Sequence, residues 1–70
     1  MELRYKVRRE FTAKRVGDGV DTHRIFQPGE SLWWDEDDSL VPVIFKVDGF
    51  KWQADDPVQF AQSIERFTPE

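Results

Sequence analysis

Two groups of residues in this chain have the types and spacing to do chemistry. The first surrounds the single histidine, His23, which follows Asp21 and Thr22, with Asp18 just upstream. An acid, an imidazole and a hydroxyl can form a proton relay, but only where the nucleophile and the orienting acid converge on the ring. In an extended strand Asp21 and His23 point to one side and Thr22 to the other. His23 is therefore read as a strand-face histidine, and no catalytic residue is expected. The second group is the acidic run Asp35-Glu36-Asp37-Asp38. Calcium takes several carboxylate oxygens from a flexible loop, and an EF-hand loop begun at Asp35 needs glycine and glutamate at set positions. The chain has Leu40 and Lys46 there. The run is read as a solvated loop that protects a sheet edge, with neither metal nor cofactor expected. The sequence carries no P-loop, dinucleotide fingerprint, zinc-hydrolase motif or nucleophile elbow, so an enzyme is not expected.

Two further groups are suited to binding. Arg4, Lys6, Arg8 and Lys14 line the polar side of the first extended segment, and such stripes hold phosphate backbones. Against that reading stand a net charge of −4 and a pI of about 4.9, with an acidic loop able to neutralise the stripe. The second is the pair Trp33-Trp34. Adjacent residues of a strand face opposite ways, so one ring enters the core and the other stays outside. An exposed Trp beside the acidic run makes an aromatic surface with a carboxylate rim, suited to a basic or cationic partner such as a peptide. The partner-binding candidates are thus Trp33, Trp34, Asp35, Glu36, Asp37 and Asp38. Arg4, Lys6, Arg8 and Lys14 are the nucleic-acid candidates.

The elements that must position these groups are legible from periodicity. Leu3, Tyr5, Val7, Phe11 and Ala13 alternate with polar residues and predict a long first strand, with a bulge or edge where Arg9 breaks the pattern. Glycines 17 and 19 mark a loop, and a second extended run covers residues 20–26. Gln27-Pro28-Gly29-Glu30 has the order of a type II turn, and Ser31-Leu32-Trp33-Trp34 resumes as a strand. Asp48-Gly49 between two apolar runs predicts a type I′ hairpin. Its register sets Val47 opposite Phe50, Phe45 opposite Trp52 and Val43 opposite Ala54, all six facing the core, with Ile44, Lys46, Lys51 and Gln53 outside. Asp56-Pro57-Val58-Gln59 reads as a capped helix start, and Phe60, Ile64 and Phe67 recur at helical spacing behind it.

The stretch Phe26-Gln27-Pro28-Gly29-Glu30-Ser31-Leu32 resembles the segment that opens the second strand of SH3-like barrels. The succession of long first strand, Gly-bearing loop, that stretch and a tight hairpin resembles the SH3-like order over residues 5–54. The resemblance implies a shape and no ligand. It also implies a single helical turn and a short last strand at the C-terminal end, where the spacing predicts a longer helix instead.

A chain of 70 residues forms one domain, residues 1–70, with thin margins for a core. It has no cysteine to staple it, and ten aromatic residues supply the buried surface instead. No run is long and apolar enough to cross a membrane, and the N-terminus lacks a secretory pattern, so a cytoplasmic protein is expected. The expected fold is mainly β with one C-terminal helix (α+β), a five-stranded antiparallel SH3-like barrel or open sheet in the order β-β-β-β-β-α. The expected function is a small non-enzymatic interaction or regulatory module, monomer or homodimer, that binds a protein or peptide partner through the aromatic-acidic surface. The alternatives are a nucleic-acid-associated protein using the basic face of the first strand, and a small accessory subunit of a larger assembly.

Overall fold

A computed structural model of the chain describes residues 2–17, 22–35 and 42–67. The elements run β1 (Glu2–Val7), β2 (Phe11–Arg15), β3 (His23–Phe26), β4 (Ser31–Asp35), β5 (Ile44–Val47), β6 (Phe50–Ala54), α1 (Pro57–Ser63) and β7 (Ile64–Arg66). The seven strands form one antiparallel sheet in the order β3-β2-β6-β5-β4-β1-β7. The architecture is therefore mainly β with one short helix. One expectation is corrected, since there are seven strands where five were expected; of the two expected forms, barrel or open sheet, the sheet is the open one, with β3 and β7 as its two ends.

The two extra strands come from a break in the first strand and from residues 64–66, which pair along β1 where helix was expected. Residues 8–10 interrupt the first strand, at the place where Arg9 spoils the alternation, and leave β1 and β2 as its two halves. Consecutive backbone amides of Arg8 and Arg9 donate to one acceptor, the Ser63 carbonyl, at 2.7 and 3.2 Å. The Pro28-Gly29 turn separates β3 from β4, as expected from the sequence. Gly29 has φ of 99°, and the Glu30 amide donates to the Gln27 carbonyl at 3.2 Å, as a type II turn requires.

These short connections force the sheet to curl. β1 and β2 stand four places apart in the strand order, which in a flat sheet is roughly 19 Å at about 4.8 Å per strand. Four residue steps from Val7 to Phe11 reach at most about 14 Å. The sheet must bend until the two halves of the first strand meet. The Val7 amide donates to the Glu30 carbonyl at 2.8 Å, and the Gly29 amide to the Val7 carbonyl at 2.9 Å, stitching the two bends together.

The inside of the curl is the core, made of Tyr5, Val7, Phe11, Ala13, Phe26, Leu32, Val43, Phe45, Val47, Trp52, Ala54, Phe60 and Ile64. Phe11 lies 5.3 Å from Phe26, 5.6 Å from Phe45 and 5.3 Å from Phe60, ring centre to ring centre, so one ring ties together β2, β3, β5 and α1. These are the offset and edge-on separations that aromatic quadrupoles favour.

The 48–49 hairpin has the register read from the sequence, with Val47 opposite Phe50 and Phe45 opposite Trp52, and the Ala54 amide donates to the Val43 carbonyl at 3.1 Å. Phe50 departs from expectation. It lies at the turn beyond the reach of the core and is exposed, its ring covered instead by the Arg15 guanidinium at 3.9 Å. The helix also departs. Asp56 caps it, its carboxylate accepting from the Val58 and Gln59 amides at 2.9 and 3.4 Å, with Pro57 in the first turn. It ends at Ser63, whose hydroxyl donates to the Gln59 carbonyl at 2.6 Å. The chain then becomes β7 along β1, so Ile64 reaches the core from a strand and Phe67 stays outside. The SH3-like resemblance implies a short last strand at this place, as found, but a single helical turn before it, where α1 has seven residues.

Asp48 and Gly49 have φ of 51° and 83°, the left-handed conformation at both turn positions. Gly49→Ala is expected to cost about 1–2 kcal/mol in a chemical melt, because a Cβ is penalised there. An unchanged midpoint would show that this turn is not under conformational constraint.

Candidate binding surface

Trp33 and Trp34 are sorted by the pleat of β4. Trp34 faces the core side, its ring 5.5 Å from Tyr5 and 5.1 Å from Phe60. Its indole Nε1 is buried and has no hydrogen-bond partner among the described residues. Trp33 faces outward and is 46 % exposed. The ring available to a partner is therefore Trp33.

The neighbours of Trp33 follow from strand register. Arg4 lies opposite it on β1, Lys46 opposite it on β5, and Lys51 opposite Lys46 on β6. All four residues are on the outward side of the sheet, where in-register positions stand close enough for their side chains to interact. β7 extends the row. The Phe67 amide donates to the Arg4 carbonyl at 3.0 Å, and the Arg4 guanidinium lies over the Phe67 ring at 4.6 Å. Phe67 is 38 % exposed. Across the outward face the order is thus Phe67, Arg4, Trp33, Lys46, Lys51, an alternation of rings and cations that ends in two lysines.

The flanking rows carry mixed charge. On one side Lys6 stands opposite Ser31 on β4 and Glu65 on β7. On the other, Glu2 and Asp35 are paired positions, and the Glu2 carboxylate meets the Lys46 ammonium at 3.4 Å. Arg4 also donates to the Ser31 hydroxyl at 3.4 Å. Both Glu2 and Lys46 are well exposed, and an exposed pair of this kind contributes little stability.

Of the residues singled out from the sequence, Trp33 and Asp35 share this outward face, and Trp34 packs inside. Glu36, Asp37 and Asp38 lie outside the described residues. Arg4 belongs to the row through Trp33, and Lys6 to the row beside it. Lys14 is separated from Arg4 by the bend, standing opposite Gln53 and His23 at the other end of the sheet. Arg8 falls in the bend itself. The basic stripe is therefore not one straight line.

His23 sits on the end strand β3, with Nε2 3.7 Å from the Asp55 carboxylate. Asp18 and Asp21 lie outside the described residues. Among the described residues no cluster of three or more His, Cys, Asp or Glu side chains has the spacing to hold a metal ion. Among them, too, no helix is long and apolar enough to cross a membrane.

Lys46, Lys51 and Phe67 are part of the row but were not singled out from the sequence. The hairpin register already puts both lysines outside. What brings them to Trp33 is the pairing of β4 with β5, and the pairing of β7 with β1 brings Phe67. Compared with models of known protein families, with curated proteins and with solved structures, the chain matches none.

The opposite orientations of the two adjacent Trp side chains give opposite expectations for stability. Trp34→Ala is expected to cost about 3 kcal/mol, since it opens a gap between Tyr5 and Phe60. Trp33→Ala is expected to stay within about 0.5 kcal/mol of the parent. Denaturant melts of the two variants check this, and similar losses at both positions would contradict the assigned orientation.

Proposed function

We propose that this chain is a small non-enzymatic interaction module that binds its partner through the outward face of β1, β4, β5 and β6. The observation that carries the reading is Trp33, a large ring left nearly half exposed in the middle of a face whose in-register neighbours are Arg4, Lys46 and Lys51. Leaving a Trp wet on a strand gains nothing for folding, and Trp and Arg are the residue types that dominate binding energy when a partner covers them.

The chemistry of the face defines the partner it suits. The sequence places carboxylates beside Trp33, which favours a cationic partner. The register adds three cations in line with the ring, which favours an anionic one. Asp35 and Glu2 lie together at one margin, and the Glu2 carboxylate is already engaged by Lys46. An extended anionic macromolecule running across the strands fits this arrangement best.

We also read the curled sheet as an SH3-like fold. Its support is the order of a long, bent first strand, a Pro-Gly turn, a tight hairpin, a short helix and a short last strand. The reading concerns shape alone, and the binding surface rests on the residues of the outward face.

A tagged chain and two variants test the function. The parent is expected to retain a partner from a cell extract, and Trp33→Ala and the double charge reversal Lys46→Glu/Lys51→Glu are each expected to lose it, with unchanged melting midpoints. Equal capture by all three proteins would place the interaction elsewhere on the chain.

A further inference from the structure

We infer that the partner of this face is single-stranded nucleic acid, whose bases stack on Trp33 and Phe67 and whose phosphates meet Arg4, Lys46 and Lys51. The inference rests on the proposed binding function of the outward face and names the class of ligand it takes. Three observations lead to it.

The first is the alternation of ring and cation. A carboxylate-rich peptide pairs with Arg4, Lys46 and Lys51 but offers nothing that needs a flat exposed indole. Unpaired bases do, because every base has a π-face that stacks on an aromatic side chain while the backbone follows the positive groove. Phe67 supplies a second exposed ring two strand positions from Trp33, with the Arg4 guanidinium lying against it at 4.6 Å. Arg4 thus offers both a charge to phosphate and a planar surface next to the ring.

The second is shape. From Arg4 to Lys51 the row crosses four strands, about 14 Å at the usual strand spacing, on the outer side of a curled sheet. Base pairs of a duplex keep their faces stacked inside, out of reach of Trp33, and reading a duplex requires an element that enters a groove. The row is made of side chains standing on strands, which suits a splayed single strand.

The third is charge distribution. The net charge of −4 argues against nucleic acid if it is spread evenly. It is not. Residues 1–15 carry six basic side chains, Arg4, Lys6, Arg8, Arg9, Lys14 and Arg15, against the two carboxylates of Glu2 and Glu10. The cationic part of the chain is the one that includes the strand carrying Arg4. At the margin of the row the Glu2 carboxylate meets Lys46 at 3.4 Å.

The test is a fluorescence and anisotropy titration of the full chain with a labelled oligothymidylate of about 12 nucleotides, within the range that one small β domain covers. Three further ligands are run beside it: the same length of duplex, a polyglutamate peptide, and the oligothymidylate at rising salt. Single-strand binding is expected to quench Trp emission and to exceed duplex and polyglutamate binding at equal salt. Trp33→Ala is expected to weaken it roughly 5- to 150-fold, the range for loss of one stacked base. Trp33→Phe, which keeps a stacking ring, is expected to restore most of the affinity. The slope of log affinity against log salt is expected near −2, from about 0.7 per neutralised phosphate and three cations. Glu2→Gln is expected to tighten binding by releasing Lys46. Polyglutamate binding as tightly as the oligonucleotide would overturn the nucleic-acid inference and leave the binding function of the face standing. No oligonucleotide binding, or binding that Trp33→Ala does not weaken, would also overturn the inference. The binding function itself falls only if the partner-capture variants also behave like the parent.

Discussion

Everything in this domain depends on the Phe11 ring and the three rings packed around it. A 70-residue chain without cysteines has little surface to bury and nothing covalent to hold it. Phe11, Phe26, Phe45 and Phe60 come from β2, β3, β5 and α1, and each is at most 1 % exposed. Phe60 stacks on Phe45 at 5.2 Å and meets Trp34 edge-on at 5.1 Å, while Trp52 meets Phe26 at 5.2 Å. The network is what draws the sheet into a curl, since the rings can meet only if strands four places apart in the order turn toward one another.

The curl in turn decides which residues share the outside. The bend at residues 8–10 is held by the Ser63 carbonyl at the end of α1. That contact ties the helix to the same strand whose outward side carries Arg4. Ending the helix at Ser63 frees the next three residues to run along β1, and it is this that sets Phe67 beside Arg4. A helix continued to Phe67, as the periodicity of Phe60, Ile64 and Phe67 suggests, would have placed that ring on the helix face. Core packing and the make-up of the candidate surface are thus consequences of the same two bends.

Local features were legible in the sequence where one short-range rule governs them. The Asp48-Gly49 turn, the hairpin register, the Pro28-Gly29 turn and the Asp56 cap all follow from backbone preferences of the residues involved. The disturbance at Arg9 was visible as a break in alternation. What could not be read was long-range. One bend splits the first strand into two, and no local rule says that Ile64 leaves the helix for β1, because the pairing energy comes from a strand 57 positions away in register, Val7 with Ile64. The candidate surface divides the same way. Alternation shows that Trp33 and Trp34 face apart, but the choice between them depends on Tyr5 and Phe60 covering Trp34. The cationic neighbours of Trp33 come from β1, β5 and β6, and their convergence is set by sheet order. Reading along the chain joined Trp33 to Asp35, Glu36, Asp37 and Asp38, whereas reading across the sheet joins it to Arg4, Lys46 and Lys51.

The most direct measurement is a two-dimensional amide and indole NMR titration of the full chain with the single-stranded oligonucleotide. A binding face centred on Trp33 predicts that the Trp33 indole Nε1 resonance and the amides of Arg4, Trp33, Lys46, Lys51 and Phe67 shift in concert. The indoles of Trp34 and Trp52 are predicted to stay put. Shifts confined to Arg8, Lys14 and the far end of the sheet, or equal movement of all three indoles, would contradict it.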